Sequence, residues 1–373
     1  MLLFLSEKNC DRLTIRENLP SARFLFGLAG LYSKVKIMKT FSSSLGTPER
    51  LSRSIRLLFR SMRPRYNELL LAEKHQTAEG FEYDVYHPRT KPIRTVLMIY
   101  GMTIGGAQDV RVIKFARSCA NAGLRVVVPH LPGLKKFMIE PGDMQRLESI
   151  ASRLVRENTV KPGLIGFSTG GSYSLLLAGR AGLRERVGPV VLFSPIYDAR
   201  EVFSYLHSPQ ETIPQTDHDL NGVIWGQFVI AYRNKEILGL TPVVKDALQT
   251  LLEDYESYDL GVKQAFYQNH VELHNLTRRS DLVNEGSDLE LLSAHGQLAG
   301  VTAPVFILHD AADRVVPPDQ SRRMYAELVQ RGGAAHQEIL VTPWLSHVVM
   351  QTSGSLTELF RIVSFLSELF QTG

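Results

Sequence analysis

The run Gly166-Phe167-Ser168-Thr169-Gly170 sets a serine between two glycines at the spacing G-x-S-x-G, directly after the apolar pair Leu164-Ile165. A strand ending at Gly166 and a helix opening in Thr169-Gly170-Gly171-Ser172 would lift the Ser168 hydroxyl clear of a sheet on a sharp turn. Glycines on either side carry no Cβ and let neighbouring backbone approach closely. The free N–H groups at the helix start, with its positive dipole end, point at any oxyanion formed there. These are the requirements of a nucleophilic serine. Such a serine needs a base, and the base needs an acid to orient it. His347 and Asp313 supply those residue types further along the chain.

Elements must bring these distant residues to one rim. Phe81-Glu82-Tyr83-Asp84-Val85 alternates as an edge strand that His87-Pro88 ends. Thr95 to Tyr100, Arg125 to Pro129, the run before Ser168, Pro189 to Phe193, Pro304 to Leu308 and Glu338 to Val341 read as buried strands. Helical stretches fall between them, at about 110–122, 143–157, from the serine turn to about 180, 319–330 and 356–370. Near-continuously apolar strands alternating with helices imply the α/β class, with a mostly parallel sheet covered on both faces. The alternation breaks between about Asp198 and Glu285, a mostly helical stretch rich in aromatics such as Trp225, Phe228, Tyr232, Tyr255 and Phe266. Strands resume after it, so it is an insertion. The expected division is a basic helical N-terminal extension at 1–80, a core at 81–198 and 286–373, and a helical lid insertion at 199–285.

In an open α/β sheet, ligands bind at the carboxyl ends of the strands. Ser168 follows one strand, Asp313 a later one and His347 the last, and Ser…Asp…His is the order of the α/β-hydrolase triad. Together with Tyr100-Gly101-Met102, His130-Leu131-Pro132-Gly133, Asp313-Arg314-Val315-Val316-Pro317 and Ser346-His347, this motif set makes residues 81–370 resemble the α/β-hydrolase fold superfamily, specifically its lidded esterase- and lipase-like members. Two positions depart from the usual pattern. Tyr100 stands where a histidine commonly precedes the oxyanion-loop glycine, and His130 where an acidic residue commonly precedes the Pro-Gly turn. The resemblance implies Ser168 as nucleophile, His347 as base, Asp313 as the orienting acid, and the backbone N–H groups of Met102 and Thr169 as the oxyanion hole. It implies hydrolysis of a small-molecule carboxylic ester with an apolar acyl group, without a cofactor or metal and without nucleic acid as a partner. Thioester, amide or peptide and carbon–carbon bond hydrolysis use the same triad, and a catalytically silent binding protein shares the fold, so these alternatives stay open.

Other residues compete for these roles. Asp310 lies nearer the strand end than Asp313, though the spacing to Val315-Val316-Pro317 favours Asp313; Asp198 follows an earlier strand and is the other acid. His336 precedes the last strand, and His309 sits at a strand end where a structural histidine is expected. His270 and His274, with Glu272 between them, could share a helix face as metal ligands, but the H-E-x-x-H order is absent and no third ligand is evident. The loop Gly101 to Gly106 lacks the Gly-Lys-Ser/Thr ending of a phosphate loop.

The chain has 373 residues, 44% hydrophobic and 21% charged, an ordinary globular composition. Two cysteines, Cys10 and Cys119, make no disulfide framework, and a reducing, cytoplasmic setting is expected. No apolar run is long enough to span a bilayer, and the opening Met1 to Leu5 meets Glu7 and Lys8 at once, unlike a secretory signal. Met38 is an alternative start to Met1. Thirteen basic and four acidic residues up to Arg65 give +9, leaving −5 for the remainder of a chain whose net charge is +4. The helix opened by Thr47-Pro48-Glu49 carries Leu51, Ile55 and Leu58 on one face and arginines on the other. It reads either as a helix packed on the body or as a peripheral contact of residues 47–65 with an anionic membrane.

Overall fold

The structure is a computed structural model that describes residues 47–62, 72–207, 217–236, 238–253, 255, 258–269, 288–351 and 355–371. Its centre is an eight-stranded sheet of β1 (Glu73–Gln76), β2 (Glu82–Tyr86), β3 (Arg94–Ile99), β4 (Leu124–Pro129), β5 (Gly163–Phe167), β6 (Val190–Phe193), β7 (Val305–Asp310) and β8 (Gln337–Thr342). The spatial order is β1-β2-β4-β3-β5-β6-β7-β8. β2 runs antiparallel to β1 and to β4, and every pair from β4 across to β8 is parallel. Val96 to Ile99, Val126 to Val128 and Val305 to Asp310 are buried along their whole length, as strands covered on both faces must be.

The helices of nine residues or more among the described residues are α1 (Pro48–Met62), α2 (Val110–Ala122), α3 (Pro141–Glu157), α4 (Thr169–Ala178), α5 (Ala199–His207), α6 (Asp217–Arg233), α7 (Pro242–Glu253), α8 (Leu260–Asn269), α9 (Asp319–Arg331) and α10 (Leu356–Ser367). Their ends carry ordinary signals. The Asp109 carboxylate caps α2 by accepting the Arg111 N–H at 2.8 Å, and Gly123, at φ +110°, ends it. Ser355 and Glu358 form a capping box at the start of α10. α5 to α8 lie between β6 and β7, in the stretch where the sequence loses its strand alternation.

The sheet begins earlier than residue 81. β1 is the polar tetrapeptide Glu-Lys-His-Gln, paired Glu73 to Val85 and His75 to Tyr83. As an outer edge strand it buries little, so it has no apolar alternation for a sequence reading to find.

α1 is part of the body. Leu51, Ser54, Leu57 and Leu58 are buried, so its apolar stripe is covered by the fold. Arginines from its other flank hold the docking: Arg53 donates to the Ala122 carbonyl at 3.0 Å and Arg60 to that of Asn121 at 3.3 Å. Arg50 donates to the Ser367 carbonyl at 3.3 Å and pairs with Glu368 at 3.1 Å. These guanidinium groups meet the negative, carbonyl-bearing ends of α2 and α10. Arg56 is exposed, while residues 63–65 of the segment considered for membrane contact lie outside the described residues. Among the described residues, no helix is long and apolar enough to cross a membrane.

The turn after β4 is fixed from two sides. The Tyr100 hydroxyl accepts the Leu131 N–H at 2.9 Å. Asp143, buried at the start of α3, accepts the N–H groups of Gly133 at 3.4 Å and Leu134 at 3.1 Å. Burial pushes the Asp143 carboxyl up to about 6, against the opposing pull of those two N–H groups.

Two outcomes are expected. Leu57→Ala should lower unfolding free energy by about 2–4 kcal/mol in urea titrations, because a fully buried side chain leaves a cavity between α1 and the body. The Asp143 carboxyl binds its proton more tightly in the folded chain than in the unfolded one, where its pKa is about 4. Its contribution is therefore fully present below about pH 4 and is lost as pH rises through about 6. Thermal melts across that window should show a loss on the order of 1–2 kcal/mol that Asp143→Asn removes.

Candidate active site

β5 ends at Phe167, α4 begins at Thr169, and Ser168 between them has φ +50° and ψ −121°. For a residue with a Cβ this left-handed backbone is strained, on the order of 1–3 kcal/mol. The surroundings hold it there: the Ser168 N–H donates to the Phe193 carbonyl at 2.8 Å, and its carbonyl accepts the Gly171 N–H at 2.8 Å. The glycine spacing has a steric cause. A Cβ on Gly170 would collide with the carbonyls of Ile99 and Tyr100, so only glycine lets α4 start against the end of β3. Across the gap, a Cβ on Gly101 would lie 3.1 Å from the Ser168 Cβ, which puts the loop after β3 against the serine. The N–H groups of Met102 and Thr169 have no hydrogen-bond acceptor among the described residues.

His347 sits at the tip of a small hairpin made by Leu345–Ser346 and Val349–Met350. Its φ is +52°, again left-handed. Both of its backbone polar groups are held. The N–H donates to Asp310 Oδ2 at 2.9 Å, and the carbonyl accepts the Ser194 hydroxyl at 2.6 Å. Ser194, at the end of β6, has φ +44°. Thus Ser168, Ser194 and His347, three of the four non-glycine residues with positive φ among the described residues, cluster here. On the side chain, Nδ1 lies 2.7 Å from Asp313 Oδ2. A carboxylate only accepts, so Nδ1 carries the proton and Nε2 keeps its lone pair.

Asp313 is buried, and its Oδ1 accepts the N–H groups of Val315 and Val316 at 2.9 Å each. Burial pushes the carboxyl up, but the adjacent imidazoles of His347 and His309 outweigh it and hold the group well below the usual carboxylate range. His309 is the second imidazole, 3.4 Å from Asp313 Oδ2 and fully buried. Its Nε2 faces the Val316 carbonyl at 2.8 Å and so bears the proton, leaving Nδ1 to accept the Ser321 hydroxyl at 2.6 Å. It is the satisfied structural histidine expected at that strand end.

Ser168, Asp313 and His347 line one cavity of about 170 Å³. Gly101, Met102, Phe115 and Phe167 form part of its wall, and Trp225 of α6 adds its indole, with the ring centre 6.3 Å from that of His347. The competing acids are elsewhere or otherwise engaged. Asp310 touches the His347 backbone, not its ring. Asp198 accepts the Glu201 N–H at 3.2 Å and lies 4.0 Å from His295. His336 packs against Phe306. His270 and His274 lie outside the described residues, as does Cys10; Cys119 is a buried free thiol of α2. Of the two departures from the usual pattern, Tyr100 braces the turn after β4 through its hydroxyl. His130 pairs with Asp84 at 3.2 Å, which raises its pKa. Sequence reasoning missed Ser194 and the backbone role of Asp310; Ser194 follows β6 and Asp310 is the last residue of β7, and that placement at strand ends is the one feature that could have marked them.

Gly170→Ala is expected to lose more than about 4 kcal/mol of stability, since the clash is with backbone carbonyls that cannot rotate away. Soluble yield and melting temperature of that variant check it.

No family model matches the chain, and no curated protein matches it. Among solved structures it is similar to the Pyrococcus horikoshii acylaminoacyl peptidase, at 14% identity and a TM-score of 0.42 over 73% of this chain and 36% of that one. It is also similar to an esterase from Pyrobaculum calidifontis (14%, TM-score 0.45, 86% and 91%) and to an α/β-hydrolase fold protein from Nakamurella multipartita (19%, 0.42, 80% and 99%). The matched region is thus about a third of the peptidase's length. With strands ordered β1-β2-β4-β3-β5-β6-β7-β8, β2 antiparallel to both neighbours and a serine turn between β5 and α4, the chain has the α/β-hydrolase fold.

Proposed function

We propose that this chain is a serine hydrolase that cleaves a carboxylic ester with an apolar acyl group through an acyl-enzyme on Ser168. The observation that carries the reading is a strained serine opening into the same cavity as an imidazole whose Nδ1 is bound by a buried carboxylate. In this reading the Ser168 Oγ attacks the ester carbonyl carbon while His347 Nε2 takes its proton. Asp313 keeps the imidazole in the Nδ1–H form and stabilises the imidazolium. The oxyanion receives the N–H groups of Met102 and Thr169, both without another acceptor among the described residues. Collapse of the tetrahedral species expels the alcohol, protonated by His347, and leaves the acyl group on Ser168. Water, deprotonated by the same imidazole, then releases the acid.

The apolar wall of Met102, Phe115, Phe167 and Trp225 supports an apolar acyl group. We read residues 199–285 as a lid in the same spirit, because Gly222, Trp225 and Tyr255 from that stretch line the cavity.

A fluorophosphonate probe should label the purified protein, and Ser168→Ala should abolish labelling with an unchanged melting profile. Turnover of a short-chain p-nitrophenyl ester should fall at least about 10⁴-fold in Ser168→Ala and in His347→Ala. Labelling that survives in Ser168→Ala would remove the serine from the mechanism.

A further inference from the structure

On the sheet edge farthest from β8, a second set of chemically able side chains converges. Glu73 and His75 of β1 sit two residues apart, and therefore on one face of the strand. The register sets Glu73 opposite Val85, so His87, two residues beyond Val85, continues the same face just past the end of β2. The three side chains bring one oxygen and two nitrogens within 4.8 Å of one another. The Glu73 carboxylate is the middle member: its Oε2 lies 3.4 Å from His75 Nε2 and 3.2 Å from His87 Nε2.

Those two separations are informative. A tetrahedral zinc ion with bonds of about 2.0–2.1 Å to imidazole nitrogen and carboxylate oxygen has edges of about 3.3–3.4 Å. The two pairs already stand at the edge lengths of such a tetrahedron. One of the nitrogens also lacks a partner of its own. His75 Nε2 is buried yet has no hydrogen-bond partner, although Glu73 Oε2 is within ion-pair reach. A buried polar atom left without a partner is costly, and a metal ion at the shared focus would give it one. The His75 ring is already oriented, stacked on Tyr83 at a centroid distance of 5.6 Å and a tilt of 12°. Tyr83 in turn lies under the Arg153 guanidinium. Half-exposed Glu73 and His87 leave the remaining position open to water.

We propose that Glu73, His75 and His87 form a binding site for a zinc ion, with two imidazole nitrogens, one carboxylate oxygen and water as its ligands. The site lies three strands from β5 and is separate from the Ser168 cavity, none of whose lining residues it shares. Its effect would be to tie the outermost strand to the residue just past β2.

The test is calorimetric titration of zinc chloride into the untagged, chelator-stripped full-length protein at about pH 7.5. One zinc per chain is expected to bind with a Kd below about 100 µM. His87→Ala and Glu73→Gln should each weaken it about tenfold or more, while His295→Ala, at an exposed histidine elsewhere, leaves it unchanged. Zinc should raise the melting temperature of the wild type and not of His87→Ala, and melts without zinc establish that the variants are folded. Saturable binding that is absent below about 100 µM, or that His87→Ala and Glu73→Gln leave intact, would overturn the site.

Discussion

The Asp313–His347 contact sets the chemistry of the cavity, and its strength comes from where the carboxylate is kept. A buried carboxylate without partners would take up a proton. Asp313 instead meets two backbone N–H groups on one oxygen and two imidazoles on the other. Each partner favours the charged form, so the group stays anionic beside the His347 imidazole. The His309 ring is itself held by Ser321 and Val316, which fixes its tautomer beside Asp313.

Backbone strain is concentrated around that contact. Ser168, Ser194 and His347 all adopt positive φ and are tied to strand ends: Ser168 to β6 through the Phe193 carbonyl, His347 to Ser194 and Asp310. Such strain persists only where surrounding structure over-determines it. The ends of β5, β6 and β7 are adjacent in the sheet, so three neighbouring strands provide that rigidity at one rim.

Docking on α2 and α10 explains why the basic N-terminal helix is not a free arm. Its arginines meet the carbonyl ends of α2 and α10, and its leucines are buried. A helical wheel shows an amphipathic helix but not the identity of what covers the apolar stripe, because protein and lipid satisfy the same pattern. The edge cluster of Glu73, His75 and His87 illustrates a related blind spot. Ligand pairs on a helix announce themselves by i, i+4 spacing, whereas His87 reaches Glu73 only through strand pairing.

Much of the architecture was legible in the chain itself. Apolar runs such as Val96 to Ile99 and Val305 to Leu308 are long, bounded and rich in β-branched residues, so burial on both faces leaves few other solutions. The Gly166–Gly170 spacing announced its turn because a Cβ on Gly170 would meet the carbonyls of Ile99 and Tyr100, and one on Gly166 the Gly170 carbonyl and the Gly171 Cα. The spacing to Val315-Val316-Pro317 already favoured Asp313 as the acid facing His347; tertiary structure alone decided what Asp310 does. Asp310 and Asp313 are three residues apart with the same chemistry; a turn after β7 sends one carboxylate to the imidazole and the other to the backbone N–H of the same residue. It alone also recruited Ser194, whose hydroxyl finds a carbonyl 153 residues away. Short-range pattern encodes elements, because burial repeats with their period; contacts between strand ends depend on sheet order, which leaves no periodic trace.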